Sequence, residues 1–161
     1  MSDEHGAQFS STYGHPIIET PNMDRLAAQG TTFDANYCNS PLCIPSRASF
    51  MTGQYVSSIE VWDNTKPMAV DKLTWPYLLR NEGYDTALNG KMHLVGPDPL
   101  HGFEEQLSRD PHIEAPLDHY RWSDGIPTAP EDWYGVREAD PGTSPMIEAD
   151  DAMEKAAVEY L

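Results

Sequence analysis

The chain has few cysteines, no long apolar run and no basic start. Its two cysteines, Cys38 and Cys43, are too few for a disulfide scaffold and, without histidines beside them, too few for a structural zinc site. No apolar stretch reaches the roughly 18 residues that a membrane span requires, so we expect no membrane partner. The opening residues are acidic and show no signal peptide, which leaves the compartment unknown but favours the cytoplasm.

Positive charge is also scarce. Ten Lys and Arg residues face 26 acidic residues, for a formal net charge of −16 at pH 7, which disfavours nucleic acid and anionic membranes as partners. The imbalance is uneven, because ten acids and six bases precede residue 98, whereas 16 acids and four bases lie from Asp98 onward. An anionic substrate would be repelled by the chain as a whole and would need cations close to its binding site.

The length of 161 residues and the 39% of hydrophobic residues suit one domain or part of a larger one. Hydrophobic periodicity, caps and stop signals predict helices over residues 20–30, 45–53, 74–82 and 145–161, and strands over 31–38 and 84–89. Strands that alternate with helices predict an α/β sheet, in which ligands gather at the carboxyl ends of the strands.

Apolar side chains indicate which surfaces are buried. The helix over 20–30 is expected to bury Met23, Leu26 and Ala27. The helix over 145–161 is expected to bury Met146, Ala149, Met153, Ala156, Ala157 and Tyr160. Residues 96–145 show little sign of regular structure, and their large aromatics are expected to anchor loops: Tyr120, Trp122, Trp133 and Tyr134.

The segment C-I-P-S-R at residues 43–47 carries the most specific chemistry. Pro45 suits the first position of a helix and Gly53 suits its end, so Cys43 is predicted to lie just ahead of a helix N-terminus. Free N–H groups and a partial positive charge at such a terminus attract anions. Three roles for Cys43 are open: a buried structural residue, a thiolate nucleophile activated by the helix and Arg47, or a precursor that is modified after synthesis.

With the A-S and T-G that follow, this segment resembles the signature of the sulfatase family, within the alkaline phosphatase superfamily. In that family the cysteine is oxidised to formylglycine by a formylglycine-generating enzyme. The resemblance implies that one hydroxyl of the hydrated aldehyde attacks sulfur and displaces the alcohol, and that the second hydroxyl loses its proton as sulfate leaves. It also implies an α/β fold, the N-terminal part of an alkaline-phosphatase-like sheet flanked by helices and truncated at both ends.

A metal site is implied by the same resemblance. The segment M-S-D-E-H at residues 1–5 is similar to the acidic pair with which sulfatases bind a divalent cation, although Glu4 stands where an aspartate is usual. Asp3, Glu4 and the modified Cys43 are the implied ligands, and hard oxygen donors favour Ca²⁺, with Mg²⁺ or Mn²⁺ as alternatives. The cation would neutralise sulfate oxygens and acidify the aldehyde hydrate.

The segment G-K-M-H at residues 90–93 is similar to a second sulfatase motif. By this resemblance Lys91 neutralises a sulfate oxygen and contacts the formylglycine, and His93 accepts the proton of the second hydroxyl. Arg47 is implied to hold the formylglycine and the metal-binding carboxylates, since a guanidinium can bind two oxygens at once. Together with Cys43 these residues form the predicted catalytic set.

The resemblance runs from Asp3 to about Asp110, and choline-sulfatase-like members look most similar. Residues 1–161 are therefore expected to form a partial N-terminal catalytic domain, with the core elements and motifs in 1–97, a loop-rich part in 98–145 and a helix in 146–161. The expected substrate is a small-molecule or saccharide sulfate ester. Since no second metal pair followed by glycine occurs after His93, we expect the 161-residue chain alone to be inactive.

Three alternatives stay open. A phosphonate or phosphodiester hydrolase of the same superfamily can share the formylglycine motif. A non-catalytic remnant would only bind an anion or a partner, and a cysteine hydrolase would use the unmodified thiolate of Cys43.

Overall fold

The chain folds as two units, Met1–Tyr37 and Cys38–Leu161, in the computed structural model. The structure describes residues 1–3, 5–110, 142–143 and 145–161, with side chains given for all of these except 145 and 146. Glu4 and the four aromatic residues predicted to anchor loops lie outside the described residues. In the described part of the chain, no helix is long and apolar enough to cross a membrane.

The first unit contains two short 3-10 helices, Ala7–Phe9 and Ser11–Tyr13, and helix α1, Pro21–Gln29. The predicted helix over 20–30 is confirmed, because Thr20 and Gly30 are the residues that flank α1.

A polar network joins the second short helix to α1. Asp24 accepts hydrogen bonds from Ser11 Oγ at 2.6 Å and from Thr12 Oγ1 at 2.5 Å. These two hydrogen bonds lower the pKa of Asp24, and the one from Ser11 has the larger effect. Ser11 also accepts from the Thr20 N–H at 2.8 Å, so the residue before the helix is tied to the same network.

The apolar face predicted for α1 is not buried. Met23 is 43% exposed and Leu26 is 68% exposed, while Ala27 is half-buried. These side chains line an open cleft together with Phe33. The prediction is wrong because helical periodicity indicates which side chains share a face and not whether a partner covers that face.

The prediction of a strand over residues 31–38 is also wrong. All these residues are exposed and none belongs to a strand. Alternating residues form a strand only where a neighbouring segment completes the ladder of hydrogen bonds. The described part of the chain pairs no strand with this segment.

The second unit contains helices and a small parallel sheet. Its elements are α2 Cys43–Thr52, α3 Val56–Ile59, α4 Trp75–Asn81, β1 Ala87–Leu88, β2 Glu105–Gln106 and α5 Pro145–Tyr160. The two strands pair in parallel, with Ala87 opposite Glu105 and Leu88 opposite Gln106. A parallel strand pair in a unit that otherwise contains helices agrees with the predicted α/β class.

The predicted elements of this unit form with shifted ends. The strand predicted over 84–89 shortens to β1, since pairing with β2 covers two residues. In α5 the side chains of Ala149, Met153, Ala156 and Ala157 are half-buried as expected, whereas that of Met146 lies outside the described side chains. Tyr160 is 48% exposed, so its predicted burial is wrong. Two helical turns before Tyr160, α5 contacts residues 89 and 90 through Met153.

The core of the second unit forms around α2. Met51 of this helix is fully buried, and the Trp75 ring packs edge-on against Phe50 at 6.1 Å and Phe103 at 5.4 Å. The buried apolar side chains are Ile44, Ala48, Met51, Ile59, Val61, Met68, Leu88, Met92, Leu94, Val95 and Phe103. The core therefore packs α2, which begins at Cys43, against the segment that contains the G-K-M-H motif.

Candidate functional site

Cys43 is the first residue of α2 and is half-buried. The predicted start at Pro45 is therefore two residues late. A proline is tolerated at this third position because the first four N–H groups of a helix have no partner within it. The first helical hydrogen bond runs from Ser46 N to Leu42 O at 3.0 Å, and Ile44 N donates to Asn64 Oδ1 at 2.9 Å. Cys43 thus lies within the first turn, where the helix dipole favours negative charge.

Lys91 brings a positive charge to this helix terminus. Its Nζ lies 3.7 Å from Cys43 Sγ. The motif loop, residues 90–93, follows β1 and begins at Gly90, which has a φ of 78°. The backbone angle favours glycine, and a Cβ at Gly90 would lie 2.9 Å from Sδ of the flexible Met153 side chain in α5. The carboxyl end of β1 is where the sequence predicted a ligand site.

Arg47 joins α2 to the motif loop. It is 4% exposed, and its Nη1 donates to the Lys91 carbonyl at 2.5 Å and lies 3.8 Å from Met92 Sδ. The guanidinium thereby fixes the backbone of the residue whose side chain reaches Cys43. Its implied grip on the formylglycine and on metal-binding carboxylates stays a prediction.

His93 lies at the end of the motif loop in an unusual backbone conformation. It is 7% exposed and has a φ of 54°, a left-handed value that is uncommon outside glycine. Its N–H and that of Met92 both donate to Asp110 Oδ2, at 2.5 Å and 2.9 Å. A buried carboxylate therefore stabilises the turn that orients this imidazole.

The predicted metal ligands belong to different parts of the chain, and one of them, Glu4, lies outside the described residues. No group of three or more His, Cys, Asp or Glu side chains that could hold a metal ion occurs among the described residues. Asp3 lies in the first unit and Cys43 in the second. A thiol is a soft ligand that does not suit Ca²⁺, whereas the oxygens of a hydrated aldehyde do. The donor set thus fits a hard cation only after Cys43 is modified, and the ligand assignment stays a prediction.

Three residues at this site escaped the sequence analysis: Asn64, Ser108 and Asp110. Asn64 contacts the N-terminus of α2, Ser108 accepts from Gly90 N at 2.8 Å, and Asp110 binds the loop backbone. Each is a single polar residue in a segment without periodicity, distant in sequence from its partner. Only the pairing of β1 with β2 reveals that residues 108–110 run beside residues 90–93.

The arrangement favours an anion beside residue 43. A helix N-terminus, the Lys91 ammonium and the buried Arg47 guanidinium supply positive charge in a chain whose formal net charge is −16. The half-buried side chain at position 43 lies next to that charge, so a nucleophile there would act on a bound anionic group.

Comparisons with known proteins agree with this chemistry. A family model described as Sulfatase matches residues 1–135. The chain is 50% identical over 94 residues to the choline-sulfatase of Rhizobium meliloti, covering 58% of this chain and 18% of that protein. It is 43% identical over 95 residues to the N-acetylglucosamine-6-O-sulfatase of Bacteroides thetaiotaomicron, and the match covers 59% of this chain and 17% of that protein. The chain spans about a fifth of the length of these relatives.

Solved structures share the fold. A protein in complex with its substrate D-glucosamine-2-N,6-O-disulfate has a TM-score of 0.64 and 39% identity, covering 71% of this chain and 23% of that one. The phosphonate monoester hydrolase of Agrobacterium radiobacter has a TM-score of 0.56 and 27% identity, and the match covers 66% of this chain and 24% of that one. The predicted fold, a partial alkaline-phosphatase-like sheet with helices, is confirmed.

Proposed function

The chain belongs to the sulfatase family, and from this premise we propose that the protein containing it hydrolyses a sulfate ester with a formylglycine at position 43. One observation carries the proposal: the Lys91 ammonium lies 3.7 Å from Cys43 Sγ at the N-terminus of α2. A reactive side chain and a cation thus meet where a helix end favours an anion.

The chain's own residues would bind and orient the sulfate group. Lys91 would neutralise a sulfate oxygen beside residue 43, and the N-terminus of α2 would add its partial positive charge. Arg47 would keep Lys91 in place through the hydrogen bond to its carbonyl. His93 would hold the second hydroxyl and take its proton as sulfate leaves, because an imidazole titrates near neutral pH.

Two groups complete the proposed site. When present, the formylglycine supplies the nucleophilic hydroxyl, and a divalent cation neutralises sulfate oxygens. Asp3 and Glu4 are the proposed carboxylate ligands, and Ca²⁺ is the proposed metal because hard oxygen donors suit it. The formylglycine-generating enzyme is the proposed partner that modifies Cys43, with C-x-P-S-R as its recognition segment.

The substrate is proposed to be a small-molecule or saccharide sulfate ester. Support comes from the relatives, which include a choline-sulfatase and an N-acetylglucosamine-6-O-sulfatase. A structural relative was solved with a sulfated glucosamine. We propose the ester class alone, since these relatives differ in the alcohol they release.

Substrate profiling of the complete protein, coexpressed with a formylglycine-generating enzyme, tests the proposal. The panel contains choline sulfate, glucosamine 6-sulfate, an aryl sulfate and a phosphonate monoester. We expect turnover of at least one sulfate ester and its loss in C43A. C38A is the matched control, because Cys38 is the other free cysteine and is exposed. Turnover of the phosphonate alone, or equal activity of C43A and the wild type, would overturn the proposal.

A further inference from the structure

The sheet of the second unit opens at the motif loop. Before the loop, the backbone pairs directly: Glu104 N donates to Thr86 O and Leu107 N donates to Leu88 O, each at 2.8 Å. Leu88 is the last residue of β1, and the two chain segments continue side by side beyond it.

Beyond that point, side-chain oxygens replace the backbone carbonyls. Ser108 Oγ accepts from Gly90 N at 2.8 Å, and Asp110 Oδ2 accepts from both Met92 N and His93 N. Three of the four N–H groups of the motif loop are thus bound by two side chains of the neighbouring segment. The loop can therefore leave the strand conformation without leaving its N–H groups unsatisfied.

Asp110 accepts two of these three hydrogen bonds. It is 1% exposed, and a carboxylate makes stronger hydrogen bonds to N–H groups than a neutral oxygen does. It binds the N–H of His93, whose φ of 54° is disfavoured for a residue with a Cβ. Such a conformation persists only where its surroundings enforce it.

We propose that Asp110, assisted by Ser108, is a positioning residue for the motif loop, one that sets the directions of Lys91 and His93 without touching the substrate. The proposal rests on the proposed function for the roles of those two side chains. Small displacements of such groups reduce turnover strongly, because the reacting atoms must be aligned.

Asp98 provides a matched control. Its Oδ1 accepts from Leu100 N at 3.1 Å and from His101 N at 3.0 Å. His101 also has a positive φ, of 40°. Asp98 therefore anchors a similar turn outside the motif loop. D98A removes two backbone hydrogen bonds of the same kind, together with the one that Tyr77 Oη donates to Asp98 Oδ2 at 2.9 Å.

The test compares D110A, D110N and D98A in the complete protein by amide hydrogen exchange over residues 88–95 and by steady-state kinetics on a sulfate ester. We expect D110A to speed exchange and to lower kcat by about tenfold or more, the loss of one or two hydrogen bonds, with KM changed less. D110N keeps an amide oxygen as acceptor and should retain kcat within about fivefold. D98A should leave kcat and this exchange unchanged.

Exchange is measured without substrate, so it separates the two proposals. A wild-type protein that releases no sulfate would overturn the proposed function, while faster exchange in D110A would still support the positioning role. Wild-type exchange and kcat in D110A, or an equal loss of kcat in D98A, would overturn the positioning role. If D110A does not fold, S108A is tested instead. We expect faster amide exchange at Gly90 in S108A, and unchanged exchange there would overturn the positioning role.

Discussion

Replacing Lys91 with methionine tests the electrostatic part of the account. K91M keeps an unbranched apolar side chain, one atom shorter than that of lysine, and removes the charge. The backbone carbonyl that binds Arg47 is unchanged, so the fold should be retained. The variant therefore isolates the ammonium that lies 3.7 Å from Cys43 Sγ.

The expected loss follows from this distance. A negative charge on the substrate as far from the Lys91 ammonium as Cys43 Sγ is, 3.7 Å, would interact with it by about 4.5 kcal/mol at an effective dielectric constant of about 20. Lys91 is half-buried, so water screens the pair and about 2 kcal/mol is a reasonable share. That energy corresponds to about a 30-fold loss of kcat/KM for a sulfate ester.

A matched variant separates the local charge from the overall charge. K66M removes one positive charge from an exposed position in the same unit and makes the net charge more negative by the same amount. We expect kcat/KM of K66M to stay within about twofold of the wild type, since exposed charges are screened. Sulfate release measured over a range of substrate concentrations gives both values. Equal losses in K91M and K66M would refute the local role of Lys91.

Three further predictions concern stability of the complete protein. M51A should lower the free energy of unfolding by about 2–5 kcal/mol because Met51 is fully buried. M23A, at a position that is 43% exposed, should lower it by less than about 1 kcal/mol. Urea denaturation measures both changes. Burial lowers the pKa of His101 below 6.5, an effect that Asp98 partly offsets, so its stabilising contribution is present above pH 6.5 and is lost as the pH falls below that value. Thermal melts from pH 7.5 to 5 should therefore show a smaller decline in H101N, and equal declines would count against this assignment. G90A should lower the melting temperature, because Gly90 has a φ of 78°, while G142A, with open space around it, should not.

Local signals in the sequence located the helices well. Residues close in sequence predict α1 and α4 to within a residue or two, since each helix has a proline in its first turn and a glycine at or just beyond its end. Neither Thr20 nor Thr74 caps its helix with a side-chain hydrogen bond. The start of α2 was misjudged by two residues since proline is tolerated throughout the first turn. The sequence pattern groups Cys43 with Lys91, and the fold places their side chains 3.7 Å apart; their catalytic roles stay a prediction.

Features that depend on distant segments could not be predicted from local patterns. The exposure of Leu26 and the missing strand over 31–38 reflect what covers or pairs with a segment, which periodicity does not encode. Asp110 is an isolated aspartate in an irregular segment, yet it is buried and binds the motif loop. Its role becomes visible only when the register of β1 and β2 is known.

The proposed chemistry requires an aldehyde at residue 43. Mass spectrometry of the tryptic peptide over residues 26–47, from the complete protein coexpressed with a formylglycine-generating enzyme, tests it most directly. The peptide also contains Cys38, which serves as an internal control. We expect formylglycine at position 43 and an unchanged thiol at Cys38. A thiol at both positions, in protein that still hydrolyses sulfate esters, would contradict the proposed chemistry.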